Sequence, residues 1–184
     1  MRRLSCLALA LVMVVPGLIV SARAEHIIAL YSDPAHTSTE APDEAPATLT
    51  IYVVLESTTG GTAAYFRINP TPGFTGAWVG ETTPFLHMGT SQTGIGLSFQ
   101  PGCIMTAEVL QIQYALLGTS ENCSILEIVA NPQYDLFGGS AVVIDCVFED
   151  RPALGGQLTI NPDPSCTPVP VSPTTWGQIK AMYR

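Results

Sequence analysis

The segment TLTIYVVLE, residues 48–56, decides the fold class of this chain. Leu49, Ile51, Val53 and Leu55 alternate with polar or half-polar residues, so they fall on one side of an extended chain. A period of two with many β-branched residues predicts a β-strand with one buried face. Similar short segments recur between turn signals, at residues 25–32, 63–69, 74–79, 94–100, 105–114, 124–130, 141–148 and 157–161.

No long segment has an apolar period of 3.6 residues, so helices are not expected within the main body of the chain. About eight or nine short strands predict an all-β, antiparallel β-sandwich, immunoglobulin-like or jelly-roll-like, over residues 25–161. A closed barrel is the alternative. Gly60-Gly61 is predicted to be the turn between the second and third strands.

The first 24 residues are typical of a secretory signal peptide. Arg2 and Arg3 precede a nearly continuous apolar run, and Ala22-Arg23-Ala24 gives the small-x-small pattern of a cleavage site before Glu25. The apolar run is short for a membrane span, which needs ~20 residues. The alternative is a retained anchor. We therefore expect a secreted, periplasmic or cell-surface protein without a membrane span after signal cleavage.

The expected mature chain is strongly acidic. The sequence holds 7 Lys+Arg and 15 Asp+Glu, and loss of the three arginines of the signal peptide leaves 4 against 15, a net charge of −11. Such a chain repels nucleic acid and anionic lipid surfaces. We therefore expect no nucleic-acid partner.

Four cysteines remain after the expected cleavage: Cys103, Cys123, Cys146 and Cys166. An even number in an exported chain predicts two disulfides, and the absence of C-x-x-C spacing argues against zinc. An up-and-down meander of the last four strands would pair Cys123 with Cys146 and Cys103 with Cys166. If the strands cross between sheets, Cys103–Cys123 with Cys146–Cys166 is the second choice.

The C-terminal part of the chain has two different compositions. Residues 162–173 contain five prolines in twelve residues and predict a stiff, extended linker. Residues 174–184 predict a short helix, with Trp176, Ile179 and Tyr183 on one side and Lys180 near the end. Eleven residues do not hold a helix alone, so this tail packs on its domain or acts as a recognition tag for export or envelope anchoring machinery.

The ending TWGQIKAMYR, residues 175–184, resembles the ends of a group of uncharacterised secreted bacterial β-domain proteins. The segment IALYSD, residues 28–33, and the pair Asp145-Cys146 resemble the same group. This resemblance implies an exported bacterial β-domain, and it implies no activity or substrate.

Catalytic motifs are not evident. The histidines are His26, His36 and His87, and no serine lies in a G-x-S-x-G elbow and no H-E-x-x-H pattern occurs. A glycosidase needs two opposed carboxylates, for which the chain offers Glu56, Glu81, Glu108, Glu127 and Asp145. Any acidic β-protein offers such residues, so we predict that the protein is not an enzyme, with a secreted hydrolase as the alternative.

Calcium is the one cofactor for which the composition gives some grounds, because it takes hard oxygen ligands. The acidic residues concerned form one loop group and one later group: Asp33, Glu40, Asp43 and Glu44, then Glu149, Asp150 and Asp163. No EF-hand spacing is present, so no metal site is predicted.

Five aromatic residues in or near loops are candidates for ligand binding: Tyr65, Phe74, Trp78, Phe85 and Tyr134. Exposed rings at one end of a sandwich suit a carbohydrate, and the alternative is that these rings plug the sandwich ends. The sequence thus predicts an exported, non-catalytic binding or structural module of the envelope or extracellular space, with an unknown protein or glycan as partner.

Overall fold

A computed structural model describes residues 25–100 and 102–166 of the chain, and these residues form an all-β sandwich. The predicted fold class is confirmed. The described residues form eleven strands rather than eight or nine, and end in a short 3₁₀ turn, Pro164–Cys166. The predicted signal peptide and the tail at 174–184 lie outside the described residues, as does most of the predicted linker. The strands are β1 His26–Tyr31, β2 Glu40–Ala41, β3 Ala47–Pro70, β4 Ala77–Thr82, β5 Leu86–Thr90, β6 Gly94–Ser98, β7 Ile104–Leu116, β8 Ser124–Val129, β9 Ala141–Asp145, β10 Asp150–Gly155 and β11 Gln157–Ile160.

The 24-residue strand β3 organises the sandwich. Its first half pairs antiparallel with β1 and β7, its second half pairs with β9 and β6, and its last residues, 67–70, pair with β8. The predicted turn at Gly60-Gly61 is wrong, because β3 continues through it with register shifts in its pairing. Gly60 has φ +84°, so this residue bends the strand without ending it.

The remaining strands extend the sheets around β3. β4 lies beside β7, β5 lies beside β6, and β10 lies between β9 and β1. β8 pairs with β11, and β11 pairs with the two-residue strand β2. Most pairings are antiparallel, and β1–β10 and β11–β2 are parallel.

The core is formed by the inward faces of these strands. Leu49, Ile51, Val53 and Leu55 are all buried, as their alternation predicts. The inward residues of β6 and β7 join the same cluster, together with the buried ring of Phe66. Burial of these side chains supplies the main favourable free energy of folding.

The two disulfides are Cys103–Cys146 and Cys123–Cys166, with Cα–Cα distances of 5.6 and 5.1 Å. Both pairings considered from the sequence are wrong. The last strands do not form one meander, because β7, β8 and β9 do not pair with one another: each pairs with β3, and β8 also pairs with β11. Cys103 and Cys146 directly precede β7 and directly follow β9, whereas Cys123 precedes β8 and Cys166 lies in the 3₁₀ turn beyond β11.

Within the described residues, no helix is long and apolar enough to cross a membrane.

Candidate functional site: an apolar patch on the outer sheet face

The outer face of β9, β3, β6 and β5 carries the candidate site. Phe66 and Leu97 point into the core, so their neighbours Tyr65 and Gly96 point outward by the alternation of a strand. The pairing register places Gly96 opposite both Tyr65 and Met88. The chain therefore presents Tyr65, Gly96 and Met88 in one row across the outside of the sheet.

Strand β5 adds two exposed apolar side chains at the edge of this face. It pairs with β6 and, among the described strands, with no other. Leu86 and Met88 are each 76% exposed. The sequence reasoning missed both residues, because Leu86-His87-Met88 is too short to show a period of its own.

Tyr65 and Tyr134 meet beside this row. Their ring centroids are 4.3 Å apart and the ring planes are inclined by 29°, which is a stacked pair. The Tyr134 hydroxyl donates a hydrogen bond of 2.9 Å to Asp150, and this bond raises the pKa of Tyr134 above its ordinary value. Gly96 makes room for the pair, because a Cβ at this position would lie 2.8 Å from the Tyr65 ring.

Two adjoining shallow grooves of about 330 and 370 Å³ cover this surface and share Tyr65, Met88 and Gly96. Their lining includes no Asp, Glu, Lys or Arg side chain. We call Tyr65, Leu86, Met88 and Tyr134, with Gly96 beneath them, the outer-face patch.

The other three aromatic candidates pack against the core. Phe74 contacts Tyr114 edge to face at 5.3 Å, and Phe85 contacts Phe99 in the same manner at 5.0 Å. Trp78 is half-buried on β4. The structure therefore brings together Tyr65 and Tyr134 and places Phe74, Trp78 and Phe85 in packing positions elsewhere.

The three histidines lie in three different surroundings. His26 is fully buried, with its Nδ1 2.8 Å from the hydroxyl of Ser57, which also accepts the Gly60 N–H at 2.7 Å. Its Nε2 is buried without a hydrogen-bond partner among the described residues. Burial lowers the pKa of His26, against the opposing charges of nearby carboxylates. His26 is fully buried and Ser57 is 9% exposed, so this serine–histidine pair lies within the end of the core.

The other two histidines are more open. His36 Nε2 lies 3.1 Å from Glu108, and its ring packs near Tyr31 and Tyr52. His87 is exposed on β5 and lines one groove of the patch. The described residues place no serine hydroxyl or carboxylate in hydrogen-bond contact with His87.

The carboxylates that a glycosidase would need are engaged in separate contacts. Glu56 accepts the Tyr31 hydroxyl, Glu81 accepts the Ser91 N–H, and Glu127 accepts the Asn69 amide. The fourth, Glu108, accepts the Gln111 amide at 2.6 Å. Asp145 accepts three hydrogen bonds from the turn that follows it and from β10. The residues that the structure describes contain no group of three His, Cys, Asp or Glu side chains able to hold a metal ion. The calcium ligands considered from the sequence are therefore not assembled there.

Comparisons with known proteins relate the fold to one class of solved structure. A cohesin module from a Clostridium perfringens family 33 glycoside hydrolase superposes with a TM-score of 0.53 at 8% identity, over 77% of this chain and 100% of the module. A type II cohesin domain from the cellulosome of Acetivibrio cellulolyticus gives 0.51 at 11% identity, over 75% of this chain and 95% of the domain. These identities support the similarity of fold alone. No family model and no curated protein matches the sequence.

Proposed function

We propose that this protein is an exported, non-catalytic binding module that docks a partner protein on the outer-face patch. The observation that carries the proposal is the uncharged, apolar surface formed by Leu86, Met88 and the Tyr65–Tyr134 pair. The fold is shared with structures described as a cohesin module of a glycoside hydrolase and a cohesin domain from the cellulosome, which supports a binding-module role.

The chemistry of the patch favours a protein partner. The centres of protein interfaces are depleted in charged residues and enriched in tyrosine and methionine. Met88 adds a flexible, polarizable side chain that adapts to a partner surface. The two grooves are shallow extensions of a sheet rather than an enclosed cavity of the kind that buries a small molecule.

Photo-crosslinking at the patch tests the proposal. A photo-reactive amino acid replaces Met88 in the mature protein, which is mixed with medium and envelope proteins of the cells that produce it. We expect one crosslinked product that excess wild-type protein suppresses and a Leu86→Glu competitor does not. The matched control carries the photo-reactive group at Val79, which is exposed on β4 outside the patch. Equal products at both positions, or equal competition by Leu86→Glu, would overturn the proposal.

A glycan is the second candidate for the same surface. The groove beside Tyr134 is also lined by Thr93, Asn131 and Gln133, and hydroxyl and amide groups next to an aromatic ring suit a neutral sugar. Titration of soluble neutral oligosaccharides should then perturb the Tyr134 ring resonances, and Gln133→Ala should weaken the effect. Absence of any perturbation at millimolar sugar excludes this candidate.

Export and anchoring form a separate part of the proposal, supported by the signal-like N-terminus and by the two disulfides. We propose that residues 174–184 act as a sorting tag through Trp176, Ile179, Lys180 and Tyr183. Deletion of 174–184 should leave the melting temperature unchanged and alter the distribution of the protein between envelope and medium. An unchanged distribution with a large loss of stability would contradict the role of the tail.

A further inference from the structure

The turn between β9 and β10 exposes two consecutive apolar side chains. Val147 is 71% exposed and Phe148 is 77% exposed. The sequence predicts a strand over residues 141–148 in which Phe148 shares a face with Val142, Ile144 and Cys146. That expectation is wrong, because β9 ends at Asp145 and the chain turns there. The largest apolar side chain of this hairpin therefore points to solvent.

The backbone at Phe148 has a conformation that disfavours phenylalanine. Its φ is +66°, in the left-handed region. The turn is closed by hydrogen bonds from Phe148 N–H to the Asp145 carbonyl at 3.1 Å and from Asp145 N–H to the Glu149 carbonyl at 2.9 Å. A hairpin residue with positive φ after such a turn is commonly glycine. A residue with a Cβ in this conformation lowers the stability of the fold. An exposed ring buries little apolar surface and so compensates for little of this loss.

The turn is also held in one shape. The Asp145 carboxylate accepts the N–H groups of Val147 and Glu149, both at 2.9 Å, and the Nε of Arg151 at 3.0 Å. Arg151 also contacts the Glu149 carboxylate. Cys146, between Asp145 and the tip, is linked by its disulfide to the residue before β7. These contacts order an exposed apolar tip in advance, which lowers the entropic cost of using it in binding.

From this combination we infer that Val147 and Phe148 form a second binding anchor, which inserts into an apolar socket on a partner protein. Strained residues that the surrounding structure maintains tend to serve function, and buried aromatic anchors dominate the free energy of many interfaces. Asp145, Glu149 and Asp150 outnumber the single cation Arg151 around the tip, so its surroundings are net negative and the socket should have cationic groups at its rim. The groove beside Phe148 shares no residue with the grooves of the outer-face patch, so this inference does not rest on the proposed docking there.

The stability of a Phe148→Asn variant tests whether the ring serves the fold. Asparagine tolerates the left-handed region better than phenylalanine. We expect the equilibrium constant for folding to stay constant or to rise by up to about fivefold, measured by urea unfolding of the mature protein. A fall of more than about fivefold would mean that the ring packs on its own domain, and this outcome would overturn the inference.

Crosslinking and vesicle binding test the anchor itself. A photo-reactive phenylalanine analogue at position 148 is exposed to medium and envelope proteins of the producing cells. The inference predicts a product that excess wild-type protein suppresses and Phe148→Asn leaves intact. No product, or equal suppression by both competitors, would overturn it. The other arm is flotation of the protein with vesicles of phosphatidylcholine alone or of phosphatidylcholine with phosphatidylglycerol. If the wild type binds either vesicle and Phe148→Asn does not, the occupant is a membrane surface and the inferred protein partner is wrong.

Discussion

Asp43 should contribute more to stability than any other carboxylate in the loops at its end of the sandwich. It is 8% exposed and accepts three backbone hydrogen bonds, from Gly118 at 2.9 Å, Thr119 at 3.1 Å and Ser120 at 2.8 Å. Its own N–H donates to the side chain of Asn161 at 2.6 Å, and the Asn161 amide donates to the Ser120 carbonyl at 2.8 Å. One carboxylate therefore ties together three segments that are distant in sequence.

The Asp43→Ala substitution removes three charge-assisted hydrogen bonds and leaves three N–H groups without their acceptor. A hydrogen bond to a charged group contributes about 1.5–3 kcal/mol net. The loop lies at the surface, so water can reach part of the vacated site, and the three losses do not add in full. We expect a loss of about 3 kcal/mol, a large share of the ~5–15 kcal/mol total of a domain.

The same loss should depend on pH. Burial raises the pKa of Asp43, but the hydrogen bonds from Ser120, Gly118 and Thr119 outweigh it, so its pKa in the folded protein lies below the ordinary value. The unfolded chain therefore takes up a proton first as the pH falls. The stabilisation is complete well above the unfolded pKa of ~3.9 and disappears as the pH falls through the folded pKa.

Urea unfolding of the wild type and of Asp43→Ala at pH 7 and pH 3 measures both effects. The matched control is Glu44→Ala, which removes the same charge from an exposed neighbour and should change stability by less than ~0.5 kcal/mol. A loss below ~1 kcal/mol at pH 7, or a difference from the wild type that grows at pH 3, would refute the reasoning.

Three further predictions concern the backbone, the disulfides and a buried base. Gly60→Ala should lower the free energy of unfolding by more than ~2 kcal/mol, because φ is +84° and a Cβ would collide with both sulfurs of the Cys103–Cys146 disulfide. The control Gly80→Ala should be nearly neutral, because a Cβ there would meet no atom within 4 Å. Peptide mapping without reduction should recover the two disulfide pairings. Each disulfide closes a loop of 43 residues and should stabilise the fold by about 4 kcal/mol, so removal of either should lower the unfolding midpoint. Burial lowers the pKa of His26 despite the charges of Glu25 and Asp145, so stability should fall as the pH drops below ~6.5, and His26→Phe should flatten this part of the pH profile.

The strand faces could be predicted from the sequence because they depend on neighbours two residues apart. The inward residues of the first half of β3 and of β6 and β7 are buried as their alternation predicts. The turn predicted at Gly60-Gly61 is wrong, although a glycine pair normally marks a turn. Here Gly60 serves a long-range contact instead, since the Cys103–Cys146 disulfide packs where its side chain would be.

The disulfide pairing and the outer-face patch could not be predicted, because both depend on which strands become neighbours. Tyr65 and Tyr134 were identified as aromatic candidates, but 69 positions separate them and no local pattern shows that they stack. Leu86 and Met88 become a surface feature only when β5 takes the edge of the sheet and leaves them uncovered. The sequence therefore predicts which residues alternate, and the topology determines which of the outward ones form a surface.

The course of β3 links the core to both candidate binding surfaces. Because β3 bends at Gly60 without ending, its second half can pair with β9 and β6. Tyr65 then faces outward beside β6, which separates it from the edge strand β5. The bend also admits the Cys103–Cys146 disulfide against the strand, which fixes the base of the turn that presents Phe148. A substitution at Gly60 should therefore disturb both the outer-face patch and the apolar tip at Phe148. Leu86→Glu should affect the outer-face patch alone, and Phe148→Asn should affect the tip alone.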